Sequence, residues 1–327
     1  MTRLVALLLA VVAALFAASL LVGPAQVSVA DSLSALFAGD RGPLTLVMRE
    51  IRLPRAILAA MIGASLGLAG AAMQGYLRNP LAEPGLIGVS GSAALGAVLA
   101  IHTGLSATFA LGLPLAALIG AFLGVVLVMS LAGPRGTSLT LILAGIAISA
   151  LAAAITSFVL NLSPNPFAAN EIVFWMLGSL TDRSMTHVWL ALPFMALGFA
   201  VLARLGRGLD ALTLGEDAAL AMGIRVDRLR LQLVIGTACV VGAGTAVAGA
   251  IGFVGLVIPH ILRPLVGAHP SRLLWASALG GAAMLLAADI AVRVVLPGRD
   301  LKLGVLTALV GAPLFLHLIL KRRRERI

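Results

Sequence analysis

The chain has 327 residues, 61% hydrophobic and 11% charged, with a mean hydropathy of +1.10, whereas an average soluble domain carries about 25% charged residues. This excludes a water-soluble globular domain and indicates an integral membrane protein, helical because its apolar segments are long and lipid offers backbone groups no partner outside their own helix. The net charge of +10 would suggest nucleic acid as a partner for a soluble protein, but here it must first be divided between two membrane faces.

Glycine and proline breaks, together with charges, predict apolar spans near 4–22, 56–77, 86–101, 107–131, 139–161, 186–205, 231–250, 273–296 and 304–320. The first follows Arg3 and resembles a secretory signal. The sequence after it, GPAQVSVADS, has no convincing cleavage site, so it is read as a retained helix. A tenth candidate, IGFVGLVIPHILRPLV (251–266), contains glycines, prolines, His260 and Arg263 and is a poor helix by hydropathy alone.

The positive-inside rule arbitrates. With ten spans both termini are cytoplasmic. Fifteen basic residues then lie inside: Arg3, Arg78, Arg135, five from Arg204 to Arg230, Arg263, Arg272 and five in KRRRER. Eight lie outside: Arg41, Arg49, Arg52, Arg55, Arg183, Arg293, Arg299 and Lys302. With nine spans the split becomes 11 against 12, so ten spans fit better. The basic excess is then an orientation signal facing anionic lipid, and nucleic acid is not needed.

The longest polar stretches are 23–55 and 162–185 outside and 206–230 inside, so residues 1–327 form one transmembrane domain. GASLGLAGAAMQG (63–75) and GTACVVGAGTAVAGAIG (236–252) place small residues at helix-packing spacing, and each is followed by a proline-containing segment, RNPLAEPG or IPHILRP. Matching broken spans in two halves suggest an internal repeat. Cys239, the single cysteine, can build neither a disulfide framework nor a thiolate metal site.

The insert GEDAALAMGIRVDRLR (215–230) is polar and helix-forming. Thr213 and Glu216 fit a capping box, Asp217 adds an acid to the first turn, and Gly223 supplies a left-handed stop. The expected helix of about two turns is too short to stand alone. Leu214, Leu220 and Met222 are its apolar handles for docking. The lysines, Lys302 and Lys321, fit no Walker A loop, so the chain does not carry that type of ATPase.

RLPRAILAAMIGASLGLAGAAMQGYLRNPLAEPGLIGVSG (52–91) resembles the signature of permease subunits of ATP-binding-cassette importers for iron-siderophores, haem and vitamin B12. So do WMLGSL (175–180), LGEDAALAMGI (214–224), GFVGLVIPHILRPLVG (252–267), Asp289 with Arg293, and LGVLTALVGAPLFL (303–316). The resemblance implies a ten-helix, non-enzymatic permease of the bacterial plasma membrane, without cofactor or metal. It would work as a homodimer or heterodimer with two cytoplasmic ATP-binding subunits and a periplasmic or lipid-anchored binding protein. The loop 206–230 would hold the coupling helices that enter the ATPase, with Leu214, Gly215, Glu216, Ala219 and Gly223 matching the pattern. Arg52, Arg55 and Arg293 match positions that pair with acids on the binding protein; the plain alternative is snorkelling to headgroups. The acidic-Leu-Pro motif departs here, reading RDLKLG (299–304) with Lys302 in place of proline.

Other polar residues invite plainer roles. Asp289 and Arg293, four apart, form a structural pair. Gln74, Arg78 and Asn79 cap helix carbonyls, while His260 and Arg263 belong to a packing signature. His102, His187, His269 and His317 show no ligand spacing. GVSG (88–91) has the form found in rhomboid-type proteases but lacks a histidine in a matching context. An ion-driven carrier would place ionisable groups at mid-membrane, which only Asp289 approaches. The expected cargo is a metal chelate, foremost a ferric siderophore, with haem or cobalamin as alternatives, passing along a path of small and apolar residues on the dimer axis.

Overall fold

Each of the ten apolar segments becomes helix, but not every one is long enough to cross a bilayer. The structure is a computed structural model and describes residues 1–23, 28–37, 42–133, 136–163, 166–295 and 301–324. In chain order the helices are α1 (Thr2–Leu21), α2 (Val29–Phe37), α3 (Pro43–Leu46), α4 (Leu53–Tyr76), α5 (Val89–His102), α6 (Leu105–Thr108), α7 (Gly112–Ala132) and α8 (Ser138–Leu162). There follow α9 (Pro166–Met176), α10 (Met185–Ala203), α11 (Gly206–Leu212), α12 (Glu216–Ala221), α13 (Val226–Ala248), α14 (Val254–Leu262), α15 (Pro270–Val295) and α16 (Leu303–Arg324). Among the described residues seven helical stretches have the length and apolarity to span.

Two departures from the predicted spans matter. The polar stretch 23–55 is not a simple loop: α2 and α3 form there, and a π-helical turn, Val47–Arg52, joins α3 to α4 in one apolar stretch of 34 residues. The segment 251–266 yields only the nine residues of α14 and a 3₁₀ turn, Pro264–Val266. Nine residues rise about 14 Å, roughly half the hydrocarbon thickness. Gly249, at φ +74°, ends α13, and Phe253, at φ +67°, precedes α14, so residues 249–253 are not helical.

Helix α4 lies at the centre, packed against α15, α14, α13 and α10. It meets α15 antiparallel and very close. A Cβ on Gly63 would strike the Gly281 carbonyl, and one on Gly67 would strike that of Ser277. Apolar burial gives little drive between helices in lipid, so backbone approach through small residues and the packing it allows take its place. Helix α1 is peripheral: it touches chiefly α15 and α4, also α2 and the π-helical turn, and most of its surface is exposed.

The crossing predicts a graded mutational response. Gly67→Val should destabilise by about 1–3 kcal/mol or more through overpacking, read as a lower thermal midpoint in detergent. Gly91→Ala is expected to leave the midpoint unchanged, because a Cβ there lies no nearer than 3.6 Å to any neighbour.

Candidate functional sites on the two faces

One face carries the insert, where the chain makes two short helices, α11 and α12. The Thr213 hydroxyl donates to the Asp210 carbonyl at 2.6 Å, so the expected capping box does not form. Thr213 closes α11 instead. Gly215 is the N-cap of α12 at φ +107°, and Gly223 follows it at φ +82°. A Cβ on either would meet nothing within 4 Å, so backbone conformation rather than space demands glycine.

Glu216 and Asp217 stand in the first turn of α12, favourable for the helix dipole. Ala219 is fully buried, and its carbonyl accepts from the Ile224 amide at 3.0 Å. Leu214, Leu220 and Met222 are 69%, 53% and 62% exposed. The insert is also anchored. Asp210 Oδ1 accepts from the Ser271 amide at 2.9 Å, capping the start of α15 from another element. Sequence spacing gave no sign of Asp210's role because its partner lies 61 residues away.

On the opposite face, 26-residue α15 ends beside an ion cluster. Asp289 is fully buried and lies between Arg55 Nε, 2.8 Å from Oδ1, and Arg293 Nη2, 2.9 Å from Oδ2. The first is a hydrogen-bonded ion pair; the second is a charge contact outside hydrogen-bond alignment. Arg293 Nη1 donates to the carbonyls of Ser19 (2.8 Å) and Val22 (2.7 Å), and Nη2 to the Ser19 hydroxyl (2.7 Å). Arg52 Nη1 donates to the Leu20 and Leu21 carbonyls at 2.9 and 3.0 Å. Two guanidinium groups therefore serve the orphan carbonyls at the end of α1, where cations also complement the dipole.

Arg52, Arg55 and Arg293, which the family resemblance assigns to contact with a binding protein, are largely buried. Arg52 is 4% exposed, and the Arg55 and Arg293 side chains are 14% and 8% exposed. All three guanidinium groups are engaged within the chain. Arg49, to which the sequence assigned no role, likewise donates from Nε to the Leu36 carbonyl near the end of α2, at 2.9 Å.

Gln74 is a second correction. It does not cap its own helix. At 1% exposure it donates from Nε2 to the Leu256 and Gly255 carbonyls at 3.2 and 3.4 Å, and its Oε1 accepts from Arg263 Nη2 at 2.7 Å. Asn79 accepts the Leu81 amide in a local turn. In the departing motif, Arg299 and Asp300 fall outside the described residues, while the Lys302 ammonium lies 5.4 Å from the Phe174 ring centroid. Among the described residues no group of three His, Cys, Asp or Glu side chains could hold a metal.

Comparison with known proteins decides the family. The model of the FecCD transport family matches residues 9–321. The chain belongs to the FecCD transport family. Among its relatives, the cobalamin import system permease protein BtuC of Halobacterium salinarum is 40% identical over 278 residues, covering 84% of this chain and 74% of that protein. The Fe(3+) dicitrate transport system permease protein FecD of Escherichia coli is 37% identical over 277 residues, covering 85% and 86%. A solved structure described as an inward-facing conformation of a metal-chelate type ABC transporter superposes with a TM-score of 0.87 at 32% identity, over 98% of this chain and 100% of that one. The FecCD-type chain is thus a multi-pass transport permease subunit, and its all-helical fold is that of an ABC permease.

In this FecCD permease, truncating the central acid should be severe. Asp289→Ala leaves two buried arginines facing each other, a loss of about 3–5 kcal/mol by analogy with other broken buried pairs. Thermal unfolding of the purified variant in detergent checks this, with Asp31→Ala on exposed α2 expected to change little.

Proposed function

We propose that the chain is the membrane-spanning subunit of an importer for a metal chelate of the ferric-siderophore class, moving cargo by alternating access powered by ATP hydrolysed on separate subunits. One observation carries this: the short, glycine-delimited helix α12 and its flanking residues expose Leu214, Leu220 and Met222, and the adjoining α11 is tied through Asp210 to the base of α15. Exposed apolar side chains on a short, anchored helix suit insertion into a partner's cleft, and an anchored helix transmits displacement that a slack linker would absorb. Leu214, Gly215, Glu216, Ala219 and Gly223 are the residues of that coupling element, with Ala219 buried behind its exposed face.

The assembly contains two permease chains, identical or sister, two ATP-binding subunits on the cytoplasmic side, and a binding protein outside. Both termini are cytoplasmic, in the plasma membrane of a bacterium. The binding protein docks on the face that holds Asp289. There Arg52, Arg55 and Arg293 act chiefly by fixing the ends of α1, α4 and α15 that shape the surface. The siderophore class is supported by the Fe(3+) dicitrate relative; cobalamin, also a chelated metal, is the second reading, supported by the 40% identical archaeal relative.

Two experiments test this. Proteoliposomes holding the complex with its ATPase and binding protein should accumulate ferric siderophores in an ATP-dependent, vanadate-sensitive manner; uptake of cobalamin or haem alone overturns the siderophore class and leaves the importer intact. Leu220→Glu with Met222→Glu should weaken ATPase binding by at least about 30-fold, the effect of losing about 2 kcal/mol at an interface hot spot. Equal binding by the variant in a pull-down with purified ATPase would refute the coupling surface.

A further inference from the structure

The two broken segments that the sequence sets in separate halves meet inside the bundle. Glu83, in RNPLAEPG, accepts the Phe253 amide on Oε1 at 3.0 Å. Phe253 is the N-cap of α14 and holds a left-handed backbone at φ +67°, an uncommon conformation for a bulky residue, with a strain of about 1–3 kcal/mol. Glu83 shares a small cavity of about 160 Å³ with Leu66, Ser90 and Gly252. Leu66 lies ten residues before the end of α4, about 15 Å along the axis. The carboxylate therefore lies beside the middle of α4, away from either end of that apolar helix. Among the described residues it has no ion-pair partner. An ionisable side chain there calls for a functional explanation.

Phe253 stands where several elements converge. Gln74 straps the first turn of α14 to α4, and Arg263 at the end of α14 holds Gln74 in turn. Gln74 and Arg263 line one cavity with Thr213 of the coupling loop. On the other side, Gly311 of α16 lies against Phe253. The linker before Phe253 continues into a backbone knot: the Ser179 amide donates to the Ala248 carbonyl at 2.7 Å, and the Gly304 amide to the Gly178 carbonyl at 3.2 Å. The start of α14 is therefore joined to the coupling loop on one side and to the loop 177–179 and α16 on the other.

We infer that Glu83 is a positioning residue for transport: its bond to the Phe253 amide holds the strained start of α14, so that movement at the coupling loop is passed to the 177–179 loop and α16. Phe253 has a costly backbone state that persists while the bond is present. When the bond breaks, the strain is released and the linker is free to change shape. This rests on the importer function proposed above. The cavity beside Glu83 supplies the space for such a change.

The test separates reach from charge. Glu83→Gln keeps an acceptor oxygen at the same reach, Glu83→Asp keeps the charge but is one methylene short, and Glu83→Ala keeps neither. In nanodiscs holding the permease alone, hydrogen exchange in a peptide covering 249–256 should rise at least tenfold in Ala and Asp and stay within threefold of wild type in Gln. In the reconstituted complex with ferric siderophore, Ala and Asp should lose at least tenfold in cargo moved per ATP while retaining assembly and ATP hydrolysis. Gln should transport within threefold of wild type. A purely structural residue would lower assembly, hydrolysis and transport together, and that result overturns the inference. So does Asp behaving as wild type while Gln fails, or unchanged exchange in every variant. The exchange measurement needs no cargo, so it stands even if the wild-type complex moves no siderophore, an outcome that would sink the proposed function instead.

Discussion

The antiparallel contact between α4 and α15 is the constraint on which the rest depends. Lipid is as apolar as the side chains it would replace, so the contact draws on backbone proximity and polar pairing. Both are arranged along one line. From Gly67 to Gly63 to Arg55 the partners on α15 run from Ser277 to Gly281 to Asp289, so the glycine crossing and the ion pair enforce the same register. A Cβ at the crossing would part the helices and pull Arg55 away from the acid. The buried carboxylate, left without that partner, would be an expense in itself.

Because that register is rigid, α15 becomes a strut between the two faces. Its base is capped by Asp210 of the loop 206–230, and its far end holds Asp289 and Arg293, the latter bonded to the end of α1. Arginines serve as helix caps elsewhere too. Arg230 donates to the carbonyls of Gly133 and Gly136 beyond α7, as Arg49 does at α2 and Arg52 at α1. A long fork of donors reaches several orphan carbonyls at once, and a cation near a helix C-terminus is electrostatically favoured. Basic residues thus satisfy helix ends in several parts of the chain.

The short α14 shows the opposite problem. A break within the membrane exposes backbone groups that lipid cannot satisfy, so such breaks survive only inside protein. Here Gln74 takes two carbonyls and Glu83 takes one amide, while neighbouring backbone segments knit the linker from the other side. A bundle of uninterrupted spans would be simpler and stiffer. The break, with its strained Phe253, gives a permease a place where a few hydrogen bonds can exchange without unfolding a helix.

Much of this was legible in the chain itself. Hydropathy placed the long helices, and glycine placed the stop of α12 at Gly223, because both depend on residues within a turn or two. The (i, i+4) pair of Asp289 with Arg293 was legible for the same reason. Local spacing misled at Thr213, where the neighbouring Asp210 carbonyl competes for the hydroxyl, and it was silent about Glu83. Tertiary structure alone decided that Arg55 completes the Asp289 cluster across 234 residues, that Arg52 and Arg293 turn inward to α1, and that Glu83 reaches Phe253 across 170. Membrane partition and backbone conformation are properties of short stretches, whereas the partner of a buried charge is whichever donor the packing of distant helices brings within 3 Å.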